Sequence, residues 1–279
     1  MWAMSKGRPQ ENIKLRSAKG RSWRRSRILN AWVDSVTVDD VLDLLDDGGV
    51  LFTINPEHLY QLQRNAEFAE AYRDATYVSC DSRYVYLALK LMGRGVEHRA
   101  SGSDIVPSYW RRHADNPDVT MFLLGAAPGV AEKARQRINS LAGREIVVGA
   151  HGPSFDFVED ERECAEAIDM INRSRATCLI VGLGAPKQEI WIHRNRARMP
   201  GVKVFMGVGA TIDYEAEAVK RAPVWMREHG LEWLYRVLTE PRRYARRYAR
   251  NTEFLWLAFL DRLGLYKAPE PLKAAADGR

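Results

Sequence analysis

Apolar residues gather into short blocks at Val50–Ile54 and Thr76–Cys80, and from Val119 onward such blocks alternate with longer amphipathic stretches. A short apolar run bounded by glycine reads as a buried strand, while apolar positions recurring at three and four residues read as helix. The pattern predicts strands at Val50–Ile54, Thr76–Cys80, Val119–Leu124, Glu145–Val148, Cys178–Val181 and Val202–Met206. It predicts helices over Pro56–Tyr72 with Asn55 as N-cap, Arg83–Met92, Ser103–His113, Pro128–Leu141, Glu159–Arg173 and Pro186–Arg198. Strands alternating with helices of about 10–15 residues mean βαβ units. The expected fold is therefore α/β: a Rossmann-like, mostly parallel sheet with helices on both faces. Gly125, Gly149, Gly182 and Gly207 each follow a predicted strand, on the side of the sheet where such folds bind ligands.

The block Cys178–Glu189, CLIVGLGAPKQE, concentrates this chemistry. A buried strand ends on Gly182 and Gly184 and opens at Pro186 into a helix, whose unpaired N–H groups and positive dipole end suit an anion. Lys187 would add a full positive charge and Gln188 a neutral donor and acceptor. Taken alone, a G-x-G-x-x-K spacing fits a strand–turn–helix corner without a ligand equally well.

Beyond Pro223 the pattern changes to Trp- and Arg-rich helices. The chain divides into a basic arm at 1–27, expected to be disordered, an α/β body at 28–222, a helical appendage at 223–265 and a flexible tail at 266–279. Residues 1–27 carry a net charge of +8 and residues 220–250 a net +6, so with +6 overall the remainder totals −8. Segregated basic charge favours a polyanionic partner, nucleic acid or an anionic membrane surface. Arg236, Arg242, Arg243, Arg246, Arg247 and Arg250 are interleaved with Tyr235, Tyr244 and Tyr248, and an apolar patch follows at Phe254–Leu260. Cations beside rings and leucines are what an interfacial helix needs, which favours a peripheral membrane contact over a plain solvated face. No apolar run approaches the length of a membrane span, and the basic N-terminus lacks the apolar core of a signal peptide. Three scattered cysteines suit a reducing cytoplasm.

Several residues could carry chemistry. Asp81 follows an apolar strand, where a catalytic side chain projects from a sheet edge; capping the helix that begins at Ser82 is the competing role. Thr53 and Asn55, in TINPE, end the preceding strand toward the same face, with turn and cap chemistry as their alternative. Asp104 in SGSD and Asp213 in GVGATIDYEA fit either a sugar hydroxyl or a helix cap; Gly207 and Gly209 frame the latter block. Cys80 is a poor nucleophile without a histidine partner, and His58, His151 and His193 lack metal spacing. No Asp-x-Asp occurs, so a metal-bridged diphosphate site is not supported. Neither Val148–Gly152 nor Val204–Gly209 supplies the acid that a dinucleotide fold needs for its ribose, which disfavours NAD. No cofactor is expected.

The blocks TINPEHL (53–59), ATYVSCDSRYVYLA (75–88), RASGSD (99–104), FLLGAAPG (122–129), VGLGAPKQE (181–189), GVGATIDYEA (207–216) and RAPVWMREHGLEWLYRVLTEPRRYARRY (221–248) resemble the WecG/TagA/CpsF glycosyltransferases, in the same order. The resemblance spans about residues 50–250. It implies transfer of a sugar from a UDP-sugar to a polyprenyl-diphosphate-linked acceptor at the cytoplasmic membrane face, with inversion and without a required metal, in cell-surface polysaccharide or teichoic-acid-type synthesis. It further implies Asp81 as the base that deprotonates the acceptor hydroxyl. Thr53 and Asn55 then match residues near the sugar pocket, and Gln188 a polar active-site residue. The leaving diphosphate would be met by Lys187 and by appendage arginines, with Arg221, Arg236, Arg243 and Arg247 as candidates that close over the site when the tail meets a membrane. Where many relatives carry Gly after the catalytic Asp this chain has Ser82–Arg83, and where many read G-G-x-F-D it has Ala210–Asp213, so the donor sugar is not carried over. Self-association into a homo-oligomer is left open. The competing class is a nucleic-acid-binding α/β protein using both basic ends, which would bind with steep salt dependence; no nucleic-acid motif supports it, and none is expected as partner.

Overall fold

A computed structural model describes residues 12–16, 20–219, 221–223, 225–226, 229, 231–241 and 252–269. Nine strands form one sheet in the order β1-β2-β3-β5-β4-β9-β8-β6-β7. They are β1 (Asn12–Arg16), β2 (Ser22–Ile28), β3 (Ala31–Ser35), β4 (Gly49–Ile54), β5 (Tyr77–Cys80), β6 (Met121–Gly125), β7 (Val147–His151), β8 (Cys178–Gly182) and β9 (Val204–Gly207). From β3 to β7 all neighbours run parallel, and β1 and β2 add an antiparallel edge.

Alternation along each strand sorts the core onto two faces. Val50, Phe52 and Ile54 of β4, with Leu179 and Val181 of β8, pack on one side under α2 (Pro56–Gln61), α3 (Ala66–Arg73), α4 (Arg83–Leu91), α7 (Glu161–Ser174) and α8 (Lys187–Asn195). Leu51, Cys178 and Ile180 face the other side, under α1 (Val38–Leu45), α5 (Gly102–Arg112), α6 (Val130–Ala142) and α9 (Thr211–Glu215). Strands buried on both faces need continuous apolar sequence, which is why these blocks were legible. Two further helices, α10 (Glu232–Thr239) and α11 (Glu253–Arg262), follow.

Three expectations are corrected. The predicted helix Pro56–Tyr72 is two helices, because the Asn65 side chain accepts from the Phe68 N–H at 3.0 Å and starts a new helix after the Leu62–Arg64 turn. Within the arm 1–27, expected to be disordered, the described residues include strands at 12–16 and 22–27. Asp34, fully buried on β3, accepts from Arg25 Nε (2.6 Å) and Nη2 (2.8 Å), Trp23 Nε1 (2.7 Å) and the Val78 N–H (2.7 Å). Charge that reads as a solvated tail is thus, at Arg25, the partly buried partner of a fully buried acid. Finally, α11 belongs to the core. Phe254 and Ala258 are buried against the body, and Asp261 accepts from Arg94 Nη1 at 2.5 Å and from the Leu29 N–H at 2.9 Å.

Candidate active site

The carboxyl ends of the parallel strands open into a cleft of about 1000 Å³. From β4 comes Thr53, buried, with its hydroxyl 3.5 Å from the Gly207 carbonyl. Asn55 follows, and its Oδ1 caps α2 by accepting from the N–H groups of Glu57 (3.0 Å) and His58 (3.3 Å). The predicted cap is real, and Asn55 lines the cleft as well. From β5 comes Asp81, whose N–H donates to the Ile54 carbonyl at 3.1 Å and so sets it beside the end of β4. The cap of α4 is Ser82, which accepts from the Tyr84 N–H at 3.2 Å. Asp81 is the residue before that cap, and it lines the cleft with Thr53 and Asn55.

The glycines divide into two groups. Gly182, Gly184 and Gly209 line the cleft. Gly125 and Gly207 do not, contrary to expectation, and serve packing. A Cβ on Gly125 would lie 2.5 Å from the Gly182 carbonyl, and its φ of +131° suits only glycine; a Cβ on Gly207 would meet the Phe52 ring at 3.0 Å. The N–H groups of Gly184 and Gly209 both donate to Gln188 Oε1, at 3.2 and 3.1 Å. They are therefore turned to a side chain instead of to a ligand. Gln188 is 1% exposed, and its Nε2 donates to Glu189 Oε1 at 2.7 Å.

Lys187 lines the cleft, with Nζ donating to the Phe155 carbonyl at 2.6 Å and lying 4.0 Å over the Phe155 ring. Asp213, in the first turn of α9, lines it too. Asp104 and Arg221, expected in the site, are not among the residues that line the cleft; they pair with each other beside Ser103, which does line it. Arg221 donates to Asp104 Oδ1 (3.1 Å), the Ser103 hydroxyl (2.8 Å) and the Ser103 carbonyl (3.2 Å), and Asp104 also accepts from the Ser101 hydroxyl. Arg236 falls in α10, and its side chain, like residues 243 and 247, lies outside the described residues.

Sequence reasoning missed Arg83, Arg99 and His58, which also line the cleft. Each sits inside a block singled out above, two residues after Asp81, at the head of RASGSD and in TINPEHL. Missing as well was the buried layer beneath. Burial pushes the Glu189 carboxyl up to about 7, opposed by the hydrogen bond from Gln188. His58 Nε2 lies 3.8 Å from Glu189 Oε1, and its Nδ1 shares a hydrogen bond with the Tyr72 hydroxyl, which burial and the Glu189 and Asp81 carboxylates hold well above its usual value. Burial likewise pushes the Cys80 thiol up to about 12, which keeps it unreactive.

Fold and cleft define the class: a mostly parallel α/β protein with a large cleft at the strand ends, walled by glycine turns and lined by Arg83, Arg99 and Lys187. The chain belongs to the Glycosyl transferase WecG/TagA/CpsF family, whose model matches residues 26–268. A relative from Bacillus spizizenii, an N-acetylglucosaminyldiphosphoundecaprenol N-acetyl-beta-D-mannosaminyltransferase, is 33% identical over 200 residues, 71% of this chain and 74% of that protein. The protein is a glycosyltransferase.

Proposed function

We propose that the chain transfers a sugar from a UDP-sugar to a glycolipid acceptor carrying a sugar on a polyprenyl diphosphate, with inversion and without a metal. The observation that carries this reading is Asp81 in the cleft beside Thr53 and Asn55, with helix capping left to Ser82. Asp81 takes the proton of the acceptor hydroxyl as that oxygen attacks the anomeric carbon, and the bond to the UDP oxygen breaks on the opposite side. Thr53, Asn55 and Asp213 supply hydrogen-bonding groups for the sugar. Lys187, with Arg83 and Arg99, meets the charge growing on the departing diphosphate, the task that Asp-x-Asp enzymes give to a metal. Arg221, at the end of the body, and Arg236, Arg243 and Arg247 of the appendage complete that set; Arg221 must first leave Ser103 and Asp104. Gln188 acts on the wall of the site by holding Gly184 and Gly209, without touching the sugar.

The relative's name makes an N-acetylmannosaminyl donor and an N-acetylglucosaminyl-diphosphate lipid the first pair to try. A panel of UDP-sugars with that acceptor should give product with wild type and, with Asp81→Asn, a rate lower by about 10²–10⁴-fold, the usual worth of a general base. Equal product from both would discard Asp81 as the base.

The acceptor requires contact with a membrane surface. Among the described residues no helix is long and apolar enough to cross a membrane. On α11, Leu255, Trp256 and Phe259 are exposed, Trp256 and Phe259 stack at 5.7 Å, and Leu255 also lines the cleft. Rings set beside the cleft mouth suit a headgroup layer that delivers the acceptor.

A further inference from the structure

Gln188 joins two turns that are far apart in sequence, the β8–α8 turn through Gly184 and the β9–α9 turn through Gly209. Both contacts are made by backbone donors, so the amide must present its oxygen to them; flipped, it would set an NH₂ against two N–H groups. That orientation commits the NH₂ end to the interior, where it needs an acceptor. Glu189 Oε1 at 2.7 Å is that acceptor, on a side chain with no exposure. The same oxygen is 3.8 Å from Nε2 of His58, which lines the cleft, while Oε2 of Glu189 has no hydrogen-bond partner. A buried carboxyl with an unpartnered oxygen is costly to keep. Packing alone does not ask for a carboxyl, since an unbranched apolar side chain of similar length such as methionine would also fill the position.

We infer that Glu189 is a positioning residue: by accepting from the Gln188 amide it locks that amide with its oxygen on Gly184 and Gly209, and so holds the two turns together as one wall of the cleft. The proposal deepens the reading of that wall as part of the donor site and rests on it for its effect on turnover. Glu189 itself touches no substrate. What the lock requires is an acceptor atom at this point and not a negative charge, so glutamine should serve and methionine should not.

Two readouts separate the lock from the donor assignment. Amide hydrogen exchange of Gly184 and Gly209 in the ligand-free protein reports the lock directly. It should quicken about tenfold or more in Glu189→Met, as loss of one buried hydrogen bond implies, and stay near wild type in Glu189→Gln. Titration with UDP and the KM–kcat split report its consequence: UDP affinity falls and donor KM rises about tenfold in Glu189→Met with kcat changed less, and Glu189→Gln restores both. Unchanged exchange at both glycines in a folded Glu189→Met protein would overturn the proposal. So would a Glu189→Gln protein as impaired as Glu189→Met, since charge and not acceptance would then be what matters. Should Glu189→Met fail to fold, exchange and UDP binding in the isosteric Glu189→Gln decide alone, near-wild-type values supporting the lock and fast exchange refuting it. If wild type binds no UDP while the exchange pattern holds, the donor reading fails and the lock stands.

Discussion

Glu189 carries the sharpest consequence of burial at the scale of a single residue. Its carboxyl titrates near 7 in the folded protein against an ordinary 4.5, because the interior disfavours its charge. Folding therefore takes up a proton between those values. The favourable contribution of the neutral acid is complete below about pH 4.5 and is lost as pH rises through about 7. Relative to Glu189→Gln, wild type should lose up to about 3 kcal/mol of stability between roughly pH 5 and 8, measured by urea unfolding. Parallel pH dependences for the two proteins would mean that the carboxyl is solvated. Neither this acid nor its partner His58 could be valued from sequence. A polar pair in PKQE and TINPEHL reads as surface until the helices bring both under one cleft. Asp81 was legible, because an acid directly after an apolar strand has few places to point.

For the elements, the parallel core was written plainly in the chain, since strands covered on both faces must be apolar throughout. The edge was not. In β2 the sequence SWRRSRI shows charge and no run; its ladders with β1 and β3, and the pairing of Arg25 with fully buried Asp34, are what make it a strand. Asp34→Ala leaves the buried Val78 N–H without its acceptor and the partly buried Arg25 without its counter-charge, so it should destabilise the protein by about 2–3 kcal/mol, seen as a lowered urea midpoint. A loss under about 1 kcal/mol would mean that the pair behaves as a surface bridge and the edge is held by the ladder alone. The helix split at Asn65 was missed for a related reason. A helix interior and a cap differ by one side-chain hydrogen bond, which the apolar periodicity does not record.

Over the whole molecule, the last helix has two faces with different duties. Phe254 and Ala258 fasten it to the body, with Asp261 on Arg94, while Leu255, Trp256, Phe259 and Leu263 face outward. The sequence reading treated the entire Phe254–Leu260 run as a membrane patch; the fold halves it. With the outward half in contact with lipid, the double variant Trp256→Ala and Phe259→Ala should sediment with anionic phospholipid vesicles about tenfold less than wild type while melting at a similar temperature. Undiminished sedimentation would move the contact elsewhere. The nucleic-acid alternative loses ground at this scale as well, because Arg25 and Arg27 of the basic arm are engaged within the protein by Asp34 and the Leu29 carbonyl.

By itself the chain determined the α/β class, the order of the parallel strands' blocks, the family, and the acid at the end of β5, all of which depend on local pattern or on contiguous motif. The tertiary structure alone decided that Gly125 and Gly207 pack while Gly184 and Gly209 are clasped by Gln188, that Glu189 lies beneath the cleft beside His58, and that β1 and β2 make an edge of the sheet. Those assignments turn on which groups the folded backbone brings into contact. A hydrogen bond's partner is set by where the folded backbone brings it, and periodicity along the chain carries no trace of that.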